Sequence, residues 1–311
     1  MTLRSPLAAS KAASPTRCYT EACDRARQLV AEEGELINPR CHTSLREHGE
    51  QTENAIVFIH GFTNCPYQFH QLADLFYQQG WNTLSVRLPG HGFADRLTTA
   101  LSGVRVKDLA DSATDGIDIG HGLGRQLTVL GFSLGGVLAA WAAQQRADID
   151  HAVLVSPALG IQALPRARRH LAAHLLTLWP NFFQWWHPAL KEQKVEPLHA
   201  YPRFGSRSLG AMLRFGLIVQ QQAMRTPPKA GAISVITNPC DGVVDNHTTA
   251  MVVNAWRNHG AVVHTHSFPP EWQLIHDLID PLQPQQQTAQ VYPLLRQWCD
   301  LSSEHNNGFG R

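Results

Sequence analysis

The residues best suited to chemistry are one serine, two competing aspartates and a group of late histidines. Ser133 lies in Gly131-Phe132-Ser133-Leu134-Gly135, a Gly-x-Ser-x-Gly string that occurs once in the 311 residues. A serine hydroxyl is a weak nucleophile; it needs a base, and the base needs an orienting carboxylate. Two carboxylates follow in Asn238-Pro-Cys-Asp241-Gly-Val-Val-Asp245. Asp241 sits in the turn just past an apolar run, where a carboxylate projects from a strand end. Asp245 precedes Asn246-His-Thr-Thr and reads as a helix N-cap, so Asp241 is preferred. Of the later histidines, His264 and His266 share one face of a strand by period two. His276 lies in a loop before the last helix and is the preferred base. An oxyanion needs donors aimed before the charge appears. Those expected are the backbone N–H of Leu134, after the nucleophile, and of Phe62 in His60-Gly61-Phe62-Thr63.

Such residues work only if elements hold them together. Ala55-Ile-Val-Phe-Ile-His60, Asn82-Thr-Leu-Ser-Val-Arg87, Gln126-Leu-Thr-Val-Leu130, His151-Ala-Val-Leu-Val155, Ile233-Ser-Val-Ile236 and Val262-Val-His-Thr-His266 read as strands. Residues 36–54 offer two short edge strands, at Glu35-Leu-Ile-Asn and across 41–46. Helices are predicted over 20–33, 67–79 (stopped by Gly80), 106–119, 133–145, 206–225 and 287–299. Strand–helix alternation implies βαβ units and a mostly parallel sheet. It fails between Val155 and Ile233, which reads as an inserted cap plus one core helix. The expected division is an N-terminal arm and helix (1–35, flexible to 18), a core (36–158 and 206–300), a cap (159–205) and a tail (301–311). Ser133 falls where a buried strand turns sharply into a helix, the setting of a nucleophile elbow.

Composition narrows the function. Hydrophobic residues are 43% and charged residues 16%, enough for a core and too little charge for disorder. Lys+Arg 26 against Asp+Glu 25 gives +1, so no strong field is present and a nucleic-acid partner is not expected. Six dispersed cysteines without a Cys-x-x-Cys pair read as mostly reduced thiols in a cytoplasmic protein. The first 23 residues hold no apolar run of useful length, so a signal peptide is not expected. The longest apolar stretch, 127–143, is too short and too interrupted by glycine for a membrane span. None of the 17 histidines has metal-ligand spacing, and no metal is expected.

His60-Gly-Phe-Thr, Arg87-Leu-Pro-Gly-His-Gly92, Gly131-Phe-Ser-Leu-Gly-Gly136, Asp241-Gly-Val-Val and His276-Asp together resemble the α/β-hydrolase superfamily, most nearly its bacterial carboxylesterases and monoacylglycerol lipases, over residues 52–300. The resemblance implies an eight-stranded, mostly parallel sheet flanked by helices, an inserted helical cap and no cofactor. It also implies hydrolysis of small acyl esters, medium- or long-chain and monoacylglycerol-like, through an acyl-enzyme on Ser133. Serine peptidases or amidases and C–C bond hydrolases of the fold share the triad. A non-catalytic ligand-binding member would usually lack one of its residues. Haloalkane dehalogenases and epoxide hydrolases need a carboxylate where Ser133 stands. In the cap, Phe182, Phe183, Trp185 and Trp186 are expected either to pack the cap on the body or to wall an acyl pocket, with transient lipid-surface contact through the cap.

Overall fold

The computed structural model describes residues 10–191 and 196–300; the expected tail over 301–311 lies outside them. The elements run α1 (Tyr19–Glu33), β1 (Ser44–Arg46), β2 (Thr52–Ile59), α2 (His70–Tyr77), β3 (Asn82–Val86), α3 (Val106–Leu123), β4 (Gly124–Phe132), α4 (Leu134–Gln145) and β5 (His151–Val155). They continue with α5 (Arg166–Leu178), β6 (Phe183–Trp185), β7 (Arg203–Gly205), α6 (Ser206–Ala223), β8 (Ala232–Thr237), α7 (Asn246–Asn258), β9 (Val263–Ser267) and α8 (Thr288–Cys299).

Among the described residues seven strands form the main sheet, in the order β1-β3-β2-β4-β5-β8-β9. All pair in parallel except β1. The expected count was eight. The missing strand is the run around Ile37, which makes only an isolated bridge to Phe93. Pro39 follows at once and opens a short 3-10 turn over Pro39–Cys41, so the backbone leaves the edge before a ladder can form.

Side-chain alternation sorts the strands onto two cores. Ala55, Val57 and Ile59 of β2 join Leu127 and Val129 of β4 and Ala152 and Leu154 of β5 on one face, in a core shared with α3, α4, α6 and α7, and α1 packs on α3. Ile56, Phe58, Leu130, Phe132, Val153 and Val155 point to the other face, under α2 and α8. Both faces are covered, so these strands read as continuous apolar runs. Each large side chain so buried contributes about 1.5–3 kcal/mol.

The strand order reverses between β2 and β4. The chain leaves β2 for β3 on one side and returns to β4 on the other, with Ile59 opposite Gly131. The loops after β2 and β4 therefore open side by side at the C-terminal edge, the place where open α/β sheets bind ligands.

Three expectations change here. The segment between β5 and α6 is not wholly helical: it holds α5 and a two-stranded antiparallel ribbon of β6 and β7. The arm is not loose over residues 10–18. Its Ser14 N donates to Asp118 Oδ2 at 2.7 Å, and Thr16 is buried against α3. Residues 1–9 lie outside the described residues. Finally, Cys41 and Cys65 form a disulfide, their Cα atoms 5.3 Å apart, while Cys18, Cys23, Cys240 and Cys299 are free. The pair is 24 residues apart in sequence, and only the packing of two short 3-10 turns brings it together.

Candidate active site

Ser133 stands between β4 and α4 with φ 54° and ψ −109°, a backbone that an L-residue adopts only under strain. Two glycines make the turn possible. A Cβ on Gly131 would lie 2.0 Å from the Gly135 carbonyl oxygen, and one on Gly135 would lie 1.8 Å from that of Ile59. Any side chain at either place would push the turn open. The Ser133 N–H donates to Val155 O at 3.0 Å, which fixes the turn to the neighbouring strand.

His276 and Asp241 come to Ser133 from two other loops. Ser133 Oγ donates to His276 Nε2 at 3.0 Å, and His276 Nδ1 donates to Asp241 Oδ2 at 2.7 Å. These partners select the tautomer with its proton on Nδ1. Asp241 Oδ1 accepts from the N–H groups of Val243 and Val244 at 2.9 and 3.1 Å. Burial pushes the Asp241 carboxyl up, but His276 and those two amides outweigh it and hold the group below its ordinary value. The carboxylate therefore stays charged while it orients the imidazole.

The rejected alternatives sit elsewhere. Asp245 caps α7 by accepting from His247 N, and its other oxygen takes Arg169 Nη2 at 2.7 Å. That contact ties α5 to α7. His264 and His266 remain on β9, at the far edge of the sheet, with His266 stacked on Trp298.

The backbone N–H groups of Phe62 and Leu134 have no acceptor among the described residues. Leu134 is the first residue of α4, where N–H groups lack intrahelical partners and carry the positive end of the helix dipole. The peptide that carries the Phe62 N–H is held from behind. His60 Nδ1 donates to Gly61 O at 2.9 Å, and His60 Nε2 accepts from Leu88 N at 3.1 Å.

A cavity of about 280 Å³ opens over Ser133 and His276. Ala158, Ile161, Met212, Val243 and Ile275 give it an apolar side, whereas Asn64, Gln68, Asp277 and Gln283 give it a polar one. Of the four aromatic residues expected either to pack the cap on the body or to wall the pocket, Trp186 alone lines the cavity. Its Nε1 donates to Thr63 Oγ1 at 2.9 Å, and its ring packs on Phe62 and Phe204. Phe183 and Trp185 pack against the Arg203 guanidinium instead, and Phe182 is exposed. Tyr201 and Asn238 are contributors that sequence reasoning passed over. Tyr201 lines the cavity. Asn238 Nδ2 donates to the carbonyls of Leu274 and Ile275 at 2.9 and 3.2 Å, which binds the Asp241 loop to the His276 loop. Among the described residues no three His, Cys, Asp or Glu side chains are grouped to hold a metal ion.

Burial keeps uncharged three histidines that stand away from the triad. It drives His60 well below its ordinary range and pushes His91 and His151 down to about 4. In the unfolded chain each takes a proton near pH 6.5. Between about pH 6.5 and 4 the unfolded state therefore binds more protons, and stability falls as the pH drops through that window. Each group contributes up to about 1.4 kcal/mol per pH unit. Urea midpoints at pH 7, 6, 5 and 4.5 should fall steeply. His151→Gln, at the start of β5, should flatten the slope by close to one proton; an unchanged slope would exclude His151 as a source.

Fold and site together define a class: a parallel sheet flanked by helices, a strained serine between strand and helix, and a histidine and a carboxylate on later loops. A family model for the alpha/beta hydrolase fold matches residues 54–258, and the chain belongs to that family. A thermostable monoacylglycerol lipase from Bacillus sp. (strain H-257) is 27% identical over 119 residues, 38% of this chain and 46% of that protein. The match thus spans less than half of that relative. Two solved structures share the fold. One comes from work on LipS and LipT, two metagenome-derived lipolytic enzymes, with 18% identity, 84% of this chain and 97% of that chain covered, and TM-score 0.63. The other is a Paleococcus ferrophilus monoacylglycerol lipase, with 17% identity, 83% and 97% covered, and TM-score 0.61.

Proposed function

We propose that this chain is a serine hydrolase that cleaves carboxylic esters through an acyl-enzyme on Ser133. The observation that carries the reading is the hydrogen-bonded line Asp241–His276–Ser133 opening into the cavity. In this mechanism Ser133 Oγ attacks the ester carbon as His276 Nε2 takes its proton. The carbonyl oxygen becomes an oxyanion and accepts from the N–H groups of Phe62 and Leu134. The tetrahedral species collapses, and His276 gives the proton to the departing alkoxide. Water then repeats the sequence on the acyl-enzyme and restores the serine. Asp241 holds the imidazole in its tautomer and offsets its positive charge without taking the proton.

The apolar side of the cavity is read as the acyl site, under a cap formed by α5 and the β6–β7 ribbon. A volume of about 280 Å³ lies at the small end of ligand pockets, roughly 300–1,000 Å³, which favours medium acyl chains. The monoacylglycerol lipase among the sequence relatives supports a monoester substrate with a small polar alcohol. The cap also suits a lipid surface. Leu171, Leu175 and Leu178 recur at helical spacing on α5 and are exposed together with Trp179, beside the exposed Arg168. A cytoplasmic setting rests on mostly reduced cysteines: four are free and Cys41 and Cys65 are paired.

Two measurements test the reading. A fluorophosphonate should label the chain once, with the adduct on Ser133. Across p-nitrophenyl esters, kcat/KM should rise about fourfold per methylene, from about 0.8 kcal/mol for each CH₂ buried, and then level off. Trp186→Ala should move the length at which it levels off, whereas Phe182→Ala should not. A profile falling steadily from acetate, with amides cleaved faster than esters, would replace the acyl-ester reading.

A further inference from the structure

Beside the serine site lies a buried polar network that the mechanism above does not use. Gln68, Asn64, Asp280 and His199 are each no more than 3% exposed. Gln68 Oε1 accepts from Gly61 N at 2.8 Å, and Gln68 Nε2 donates to Asp277 Oδ1 at 2.9 Å. Asp277 Oδ2 also accepts from Gln283 Nε2 at 2.8 Å and from Asn64 Nδ2 at 3.2 Å. The same Asn64 nitrogen donates to Asp280 Oδ2 at 3.0 Å, which His199 Nε2 reaches at 2.8 Å. Two carboxylates thus share one amide. Burial, and then the nearby Asp280, push the Asp277 carboxyl above its ordinary value.

Such an arrangement is costly. Apolar residues of similar volume would stabilise the fold at least as well as buried charges sharing a donor. What the network supplies is geometry. Asp277 is the residue after His276, and Gly61 is the residue before Phe62. Gln68 spans the two loops, although it stands 209 residues from Asp277 in the chain. Its oxygen fixes the Gly61 N–H, while His60 fixes the Gly61 carbonyl. The peptide that carries the Phe62 N–H is left with little freedom. His199 anchors the far end of the network to the segment that leads into β7.

We infer that Gln68 and Asp277 are positioning residues: their hydrogen bond sets the Phe62 N–H relative to His276, so that oxyanion donor and base are held in one register. The inference rests on the serine-hydrolase reading. A donor that engages the oxyanion only in the transition state affects kcat and leaves KM largely unchanged. Loss of one oxyanion donor costs roughly 10²–10³ in rate, and a misplacement of about 1 Å costs roughly 10².

The test counts active sites with a fluorophosphonate and reports kcat per labelled site. Labelling of the wild type checks the serine-hydrolase reading separately. Gln68→Met keeps the volume and removes both hydrogen bonds. It should lower kcat per site by about 10², with KM changed less than threefold. Asp277→Asn keeps an oxygen for Gln68; its new NH₂ can donate to a turned Gln283 side chain and gives up the 3.2 Å contact with Asn64, whose Nδ2 still has Asp280. It should retain kcat within about tenfold. Gln68→Glu covers the case in which Gln68→Met does not fold. It keeps an acceptor for Gly61 but must share a proton with Asp277, near Asp280, His199 and His276. Its kcat relative to wild type should fall as the pH rises and that proton leaves. A lower Tm with kcat per site unchanged, or a ratio for Gln68→Glu that is flat with pH, would overturn the inference and leave the network as packing.

Discussion

Ser133→Ala should lower kcat for ester hydrolysis by about 10⁴–10⁶ while leaving the Tm nearly where it was. The rate falls because the attacking oxygen is gone; the His276–Asp241 pair and the two backbone donors remain and still bind substrate. Stability is expected to change little because the strain at this position lies in the backbone. With φ 54°, alanine meets the same steric conflict as serine, a cost of roughly 1–3 kcal/mol. Ser133→Gly isolates that cost. Glycine takes positive φ freely, so this variant should be equally inactive yet melt higher than Ser133→Ala. Such a pair would show that the turn is held strained in order to present an oxygen. Full activity in Ser133→Ala would move the nucleophile elsewhere, and mass spectrometry of the inhibited chain would find it.

Which parts of this architecture could be read from the sequence follows from where each signal comes from. β2, β4 and β5 are covered on both faces, so the buried part of each is a mainly apolar run, broken in β4 by Thr128, that ends near a glycine or a serine. The strand-to-helix turn at Ser133 announces itself through Gly131 and Gly135, whose missing side chains are a steric necessity. Asp245 is recognisable as a cap because capping is local, confined to the residues it precedes. Non-local features carry no such mark. The run around Ile37 has strand-like composition, but whether it pairs depends on Phe93 and on the turn at Pro39. The Trp186 indole is held at the cavity by Thr63, far away in sequence, which accepts its N–H, and by the rings of Phe62 and Phe204. Phe183 and Trp185 sit on a ribbon whose partner strand supplies Arg203. The Gln68–Asp277 bond joins two residues whose types are ordinary on any surface.

The choice between the two aspartates gives the second large effect. Asp241→Asn should lower kcat by roughly 10⁴. The asparagine oxygen can keep the Val243 and Val244 amides, so the loop should hold its shape. Toward His276, however, an NH₂ would replace a carboxylate oxygen. The imidazole then accepts at Nδ1, carries its proton on Nε2, and presents an N–H to Ser133 Oγ where it needs a lone pair. Asp245→Asn should behave in the opposite way. Asparagine caps a helix about as well as aspartate, so α7 should persist. The loss falls on Arg169, which is 4% exposed and would be left with only neutral hydrogen-bond partners: Thr248 Oγ1 and the carbonyls of Ile161 and Leu164. A buried guanidinium deprived of its counter-charge destabilises by up to about 3–5 kcal/mol, and an asparagine whose oxygen keeps the cap turns its NH₂, not an acceptor, toward Arg169. Asp245→Asn should therefore lower the Tm and leave kcat within a few fold. Measured side by side at pH 7 on one ester, the two variants separate orientation of the base from attachment of α5. If Asp245→Asn lost the rate and Asp241→Asn kept it, the carboxylate that orients His276 would have to be reassigned despite the 2.7 Å contact.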